Sequence, residues 1–166
     1  IPHQMAVAAA NSPELMKKAG SITAKVSRKN GIHWTYSPVV DLTYNKQAAA
    51  SNIRSFGDKI ETVIDNAKAF IEGAEENRYL ITTCKHFPGD FMDDRNAHFV
   101  TTINDMTKEQ WMDSYGKIYK TMIDNGIVSI MAAHCSLPAF EDEDSIHPIF
   151  GAPPAVLSYN LLTKLL

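Results

Sequence analysis

Residues 107–134 read TKEQWMDSYGKIYKTMIDNGIVSIMAAH, and their pattern is one that the rest of the chain repeats. Thr107 and Gln110 form the Thr-x-x-Gln box in which side chains close off the free N–H groups of a helix start. Trp111, Tyr115, Ile118 and Met122 then recur at the spacing of one helical face, and Gly126 supplies a left-handed stop. Ile127 to Ala133 is apolar at nearly every residue, as a strand covered on both faces is, and it runs into His134.

The same cycle precedes this stretch twice. Asp58 is the predicted cap of a helix carrying Ile60, Val63, Ile64, Ala67 and Ile71, with Gly73 near its end, ahead of a strand from Tyr79 to Cys84. Upstream, Ser12-Pro13-Glu14 places a hydroxyl cap, a proline at the first helical position and an acid at the positive end of the dipole. Leu15, Ala19, Ile22 and Val26 are predicted to form that helix's buried stripe, and Asn30-Gly31 its stop. Ile32 to Val40 should be a strand whose pairing ends near Pro38, and Ser158 should cap a fourth helix running to Leu166.

Alternation of helices with apolar strands predicts an α/β fold of parallel strands covered by helices, either a barrel or an open doubly wound sheet. No GxGxxG or GxxxxGK[ST] sits at a strand-to-helix turn, which argues against a nucleotide-binding sheet. With 166 residues, 45% hydrophobic and 21% charged, the chain can bury one core. A net charge of -3 with interspersed signs leaves no basic stripe, so nucleic acid is not an expected partner and a neutral ligand fits better. The apolar runs are too short to span a bilayer, so no membrane association is expected, and the compartment stays open with the cytoplasm favoured. Cys84 and Cys135 fall in apolar strands and read as buried thiols rather than a disulfide.

The predicted strands each run into polar residues: Val40 into Asp41, Cys84 into Lys85-His86, and Ala133 into His134. In parallel strands those ends share one face, the face on which (β/α) barrels build active sites. Asp41 and His134 have a plainer reading as residues that hydrogen-bond loop backbone. Lys85 and His86 directly after a buried strand are costly unless an anionic or hydroxyl-rich partner engages them. The loop that follows, through Phe87-Pro88-Gly89-Asp90 to Asp93-Asp94-Arg95-Asn96-Ala97-His98, is longer than a connection requires, as loops that cover ligands are. No metal site is expected: His86, His98 and His134 lack short helical spacing, and Cys135 should point away from His134 along the strand. Trp111, Tyr115 and Tyr119 read as a core-facing stripe rather than a sugar platform, and Glu141 to Asp144 as a solvated loop.

Lys85-His86-Phe87-Pro88-Gly89 matches the KHFPG motif of family 3 glycoside hydrolases. Asn52-Ile53-Arg54-Ser55-Phe56-Gly57, Ser37-Pro38-Val39-Val40-Asp41-Leu42 and Pro154-Ala155-Val156-Leu157-Ser158 resemble three further segments of that family in the same order. The resemblance implies part of a (β/α)8 barrel, with about three parallel strands and four helices present. Residues 1–166 would then be an internal fragment of one catalytic barrel domain. It implies a glycosidase of carbohydrate metabolism and cell wall recycling, acting on O-glycosyl bonds of a carbohydrate substrate containing N-acetylglucosamine by retaining double displacement, with no cofactor.

By the same resemblance Arg54, Lys85 and His86 bind sugar hydroxyls, and Asp41 and His134 support the pocket. In the β-N-acetylglucosaminidase branch a D-x-H pair on the loop after KHFPG provides the acid/base. Here Asn96-Ala97-His98 keeps the histidine as the expected acid/base and replaces its acidic partner by an amide, so either Asp93 or Asp94 supplies the charge, or proton donation weakens, or the chemistry changes. The family's nucleophilic aspartate falls beyond Leu166, so residues 1–166 alone should not turn over. The alternatives are a β-glucosidase, an N-acetylglucosaminide phosphorylase and a non-catalytic sugar-binding relative.

Overall fold

Three extended segments lie side by side and parallel, with helices covering one of their two faces. The computed structural model describes residues 2–48, 50, 52–76 and 80–166, so Ile1 and Tyr79, where the second predicted strand begins, lie outside the described residues. The regular sheet consists of β1 (Cys84–Phe87) and β2 (Ile130–Ala132), paired in parallel with a bulge between Lys85 and Phe87. The third predicted strand is therefore shorter than Ile127 to Ala133.

On the other edge of β1, residues 33–40 run parallel to residues 81–85 without forming a regular strand, bridging at Trp34 to Ile81 and at Val39 to Lys85. Pro38 has no N–H to give a ladder. Pairing nevertheless does not stop there as predicted, because Lys85 N–H donates to the Pro38 carbonyl and Val40 N–H to the Lys85 carbonyl. A second correction concerns β1 itself: Lys85 and His86 lie inside the strand, not after it.

Side chains alternate across this sheet as the pleat requires. Leu80, Thr82 and Cys84 are buried beneath the helices. On the opposite face Trp34 Nε1 donates to Thr83 Oγ1 at 2.7 Å, and Thr83 Oγ1 to Ser129 Oγ at 3.0 Å, tying all three segments into one cross-strand layer.

The helices are α1 (Gln4–Ala8), α2 (Pro13–Lys29), α3 (Ile60–Glu75) and α4 (Lys108–Trp111), the last continuing through a π-helical stretch at Met112–Gly116 into α5 (Lys117–Asp124). A further π-helical stretch spans Asn160–Leu165. Ser12 caps α2 by accepting from Leu15 N–H, both bonds of the Thr107–Gln110 box are formed, and Ser158 Oγ accepts from Leu161 N–H at 3.0 Å. Asp58 does not cap α3; Lys59 occupies that position and makes no side-chain cap bond. Trp111, Tyr115, Ile118, Tyr119 and Met122 are all buried, and Phe87 meets Trp111 and Tyr119 edge to face. Cys84 and Cys135 are free and buried, and burial pushes the Cys84 thiol up to about 12.

The face that α2 buries is not the predicted one. Leu15, Ile22 and Val26 are 50%, 40% and 52% exposed, while Met16, Gly20 and Ala24 are buried against α3. The reason is close approach of the two backbones. A Cβ on Gly20 would lie 2.1 Å from the Phe70 carbonyl oxygen, and one on Gly73 would lie 1.9 Å from that of Lys17. Two glycines facing each other's helices let α2 and α3 sit in backbone contact, and the dispersion gained along both helices outweighs burial of the larger Leu and Ile side chains.

Neither contact has a flexible atom that can yield. Gly20→Ala and Gly73→Ala, made in the intact polypeptide, are expected to force the helices apart and lower unfolding stability by about 2 kcal/mol or more in urea titration. Unchanged midpoints in both variants would contradict this contact.

Candidate functional site

Val40 N–H binds the Lys85 carbonyl, so Asp41 emerges directly beside β1, with its side chain fully buried. Its Oδ2 accepts from His86 N–H at 3.0 Å and from His86 Nδ1 at 2.7 Å, and its Oδ1 accepts from Asp90 N–H at 3.0 Å. These donors stand in for the water that a buried carboxylate loses. With Nδ1 carrying its proton toward Asp41, Nε2 of a neutral ring keeps a lone pair. That lone pair lies 3.3 Å from Arg54 Nη2.

Arg54 is held from three sides. Nη1 donates to the Ala50 carbonyl at 3.0 Å, Nη2 faces His86, and the guanidinium lies 5.7 Å from the centre of the Phe91 ring. The neighbouring Ser55 hydroxyl donates to the Asp41 carbonyl at 2.7 Å, which ties the turn carrying Arg54 to the end of the first extended segment. Lys85, with Arg54 and Tyr36, lines a cavity of about 280 Å³. Burial and then the nearby Arg54 charge pull its ammonium below the ordinary lysine value.

Asp41, Arg54, Lys85 and His86 are thus brought together. His98 and His134 are not in contact with them among the described residues. His134 leaves the same edge of the sheet, one residue after Ala133, whose N–H donates to the Phe87 carbonyl at 2.7 Å, but its side chain is exposed. His98 is exposed on the loop after β1, where Asn96 Oδ1 accepts from His98 N–H at 3.0 Å and lies 2.8 Å from His98 Nδ1. Neither nearby acid supplies a charge to this pair. Asp93 is engaged by Arg95 and by Ile103 N–H, with Arg95 holding its carboxyl at about 2, and Asp94 accepts from Asn45 at 2.5 Å.

The chain matches the model of the glycosyl hydrolase family 3 N-terminal domain over residues 1–166. It belongs to that family. A β-N-acetylglucosaminidase/β-glucosidase of Cellulomonas fimi is 33% identical over 170 residues, covering 98% of this chain and 29% of the relative. Among solved structures, a β-glucoside phosphorylase bound to 2FGlc superposes with a TM-score of 0.90 at 32% identity, over 99% of this chain and 29% of that one. A family 3 β-N-acetylglucosaminidase from Paenibacillus sp. str. FPU-7 superposes with a TM-score of 0.87 at 27% identity, over 97% and 29%. This family 3 chain therefore spans about a third of the length of these relatives.

Two residues escaped the sequence reading. Asp90 is nearly buried, with Oδ1 accepting from the Thr102 hydroxyl at 2.7 Å. Phe91 is fully buried beside Arg54 and His86, the imidazole and phenyl centres being 5.7 Å apart. Their only signal was position: they directly follow the glycine of KHFPG.

Burial foremost, with the Asp41 charge adding to it, raises the Asp90 carboxyl above its ordinary value of 3.8. A raised folded-state value means that Asp90's contribution is full below that ordinary value and is lost as pH rises through the raised one. Asp90→Asn, which keeps the acceptor for Thr102, is therefore expected to raise the thermal midpoint at neutral pH relative to the parent. The gap should close as the pH is taken down toward 4; a gap that does not vary with pH would contradict the assignment.

Proposed function

We propose that the polypeptide carrying these residues is a retaining β-N-acetylglucosaminidase that cleaves O-glycosyl bonds by double displacement. Its three parallel segments belong to an eight-stranded (β/α) barrel, and residues 1–166 form part of that single catalytic domain. Helices packed on one face only, and the Trp34–Thr83–Ser129 layer on the other, are what the outside and inside of such a barrel require.

Arg54, Lys85 and His86 engage hydroxyls of a sugar seated at the C-terminal edge of the strands. Asp41 fixes the ring and tautomer of His86, and His134 borders the same mouth. A carboxylate from elsewhere in the polypeptide attacks the anomeric carbon, and His98 handles the proton at the glycosidic oxygen.

The Asn96–His98 pair carries the assignment. Asn96 Oδ1 accepts a hydrogen bond from Nδ1–H, so Nε2 is the nitrogen left to exchange protons with leaving group and acceptor. An amide orients the ring as a carboxylate does, but it does not stabilise imidazolium by charge. Protonation of poor leaving groups is the step that suffers.

A second reading follows from the same amide. Phosphate brings its own negative charge and needs little base catalysis, and an uncharged Asn96 repels it less than a carboxylate would. Phosphorolysis of a β-glycoside, giving a sugar 1-phosphate, is the corresponding reaction.

His98→Ala in the intact enzyme is expected to lower kcat/KM about a hundredfold or more for an N-acetylglucosaminide with a sugar leaving group, and far less for the nitrophenyl glycoside. Equal losses on both remove His98 from the acid/base role, and preference for the matched glucoside replaces the sugar assignment. Acceleration by phosphate with formation of the 1-phosphate selects the second reading.

A further inference from the structure

We infer that Phe91 is a positioning residue of the sugar site, holding the Arg54 guanidinium and the His86 imidazole in register; this rests on the glycosidase reading above. Phe91 is fully buried, yet it lies outside the main core. It packs in a small separate cluster with Val39 and Ala48, with Ala50 beside them. Val39 belongs to the first extended segment, and Ala50 is the residue whose carbonyl accepts from Arg54. The ring therefore stands where the Arg54 turn, the end of the first segment and the KHFPG turn meet.

Its faces and edges are occupied by polar groups of the site rather than by aliphatic side chains alone. Arg54 Cζ lies 5.7 Å from the ring centre, and the His86 ring lies 5.7 Å away at a 50° tilt. Among the described residues Arg54 forms no ion pair. Its cation is met by one carbonyl, by the imidazole lone pair and by the π surface of Phe91. A part-buried guanidinium over an aromatic face is attracted to the ring quadrupole, an interaction that aliphatic side chains do not provide.

The consequence is a chain of positioning. Asp41 sets the His86 tautomer, the His86 lone pair receives Arg54, and Phe91 holds the imidazole and the guanidinium against lateral movement. Removing the π face frees Arg54 to leave His86 and turn into the cavity it shares with Lys85.

The test compares Phe91→Leu and Phe91→Tyr in the intact enzyme, with thermal midpoints measured alongside. Phe91→Leu is expected to weaken N-acetylglucosamine binding in calorimetry and to raise KM about tenfold, with kcat and the midpoint changed far less, while Phe91→Tyr restores the affinity. A packing role alone predicts that affinity falls only in step with the thermal midpoint, and that result overturns the inference. Selective 15N labelling of histidine gives a readout independent of turnover. In Phe91→Leu the unprotonated His86 Nε2 resonance should move as its hydrogen bond from Arg54 is lost; an unmoved resonance also overturns the inference. A parent enzyme that binds and cleaves no N-acetylglucosaminide sinks the functional reading instead, and the 15N shift still decides the role of Phe91.

Discussion

The Asp41 carboxylate has no access to water, and the site is arranged around satisfying it. Its two oxygens take backbone N–H groups from His86 and Asp90 and the ring Nδ1 of His86, while its own carbonyl takes the Ser55 hydroxyl. A buried charge stripped of even one such donor costs several kcal/mol. That penalty pins three separated stretches together: the end of the first extended segment, the turn carrying Arg54, and the turn after β1. The position of Arg54, the orientation of His86 and the burial of Asp90 all follow from this single requirement.

Parallel pairing supplies the remainder. Because the three segments run the same way, their polar exits lie along one edge, and β1 is bulged between Lys85 and Phe87, with Cys84 and Phe87 at its ends both packed into the main core. His86 turns toward Asp41, and Lys85 toward the cavity beside Arg54. The α2–α3 contact, glycine against backbone, holds the two long helices against one side of this assembly, so the elements that carry the site do not depend on the exposed loops for their placement. The loop bearing Asn96 and His98 is organised differently, by bonds of Asp93 and Asn96 within the loop and of Asp94 to Asn45. Its chemistry is accordingly a matter of one local pair.

Much of this was legible in the residues. The Thr107–Gln110 box and the Trp111 to Met122 stripe named their helix because capping and periodicity are local and reinforce each other there. The strand exits named the edge at which Asp41, Lys85 and His86 gather, and Arg54, expected there from the family resemblance alone, lies beside them. Other features depend on long-range facts that no window of sequence carries. The buried face of α2 was misassigned because its outward face has the larger apolar residues, and only the facing Gly73 explains why the smaller face is inside. Pro38 read as the end of pairing because it lacks a donor, yet its carbonyl still accepts from Lys85. Asp90 and Phe91 gave no signal of type or spacing, since their roles come from partners in other segments.

The central claim is that Arg54, Lys85 and His86, set in place by Asp41, form the floor on which the sugar sits. A crystal structure of the intact polypeptide with bound N-acetylglucosamine tests it most directly. The account predicts sugar hydroxyls within about 3 Å of the Arg54 guanidinium and of Lys85 Nζ, with His98 Nε2 facing the anomeric substituent. A sugar bound elsewhere, with these side chains contacting only protein, would contradict it.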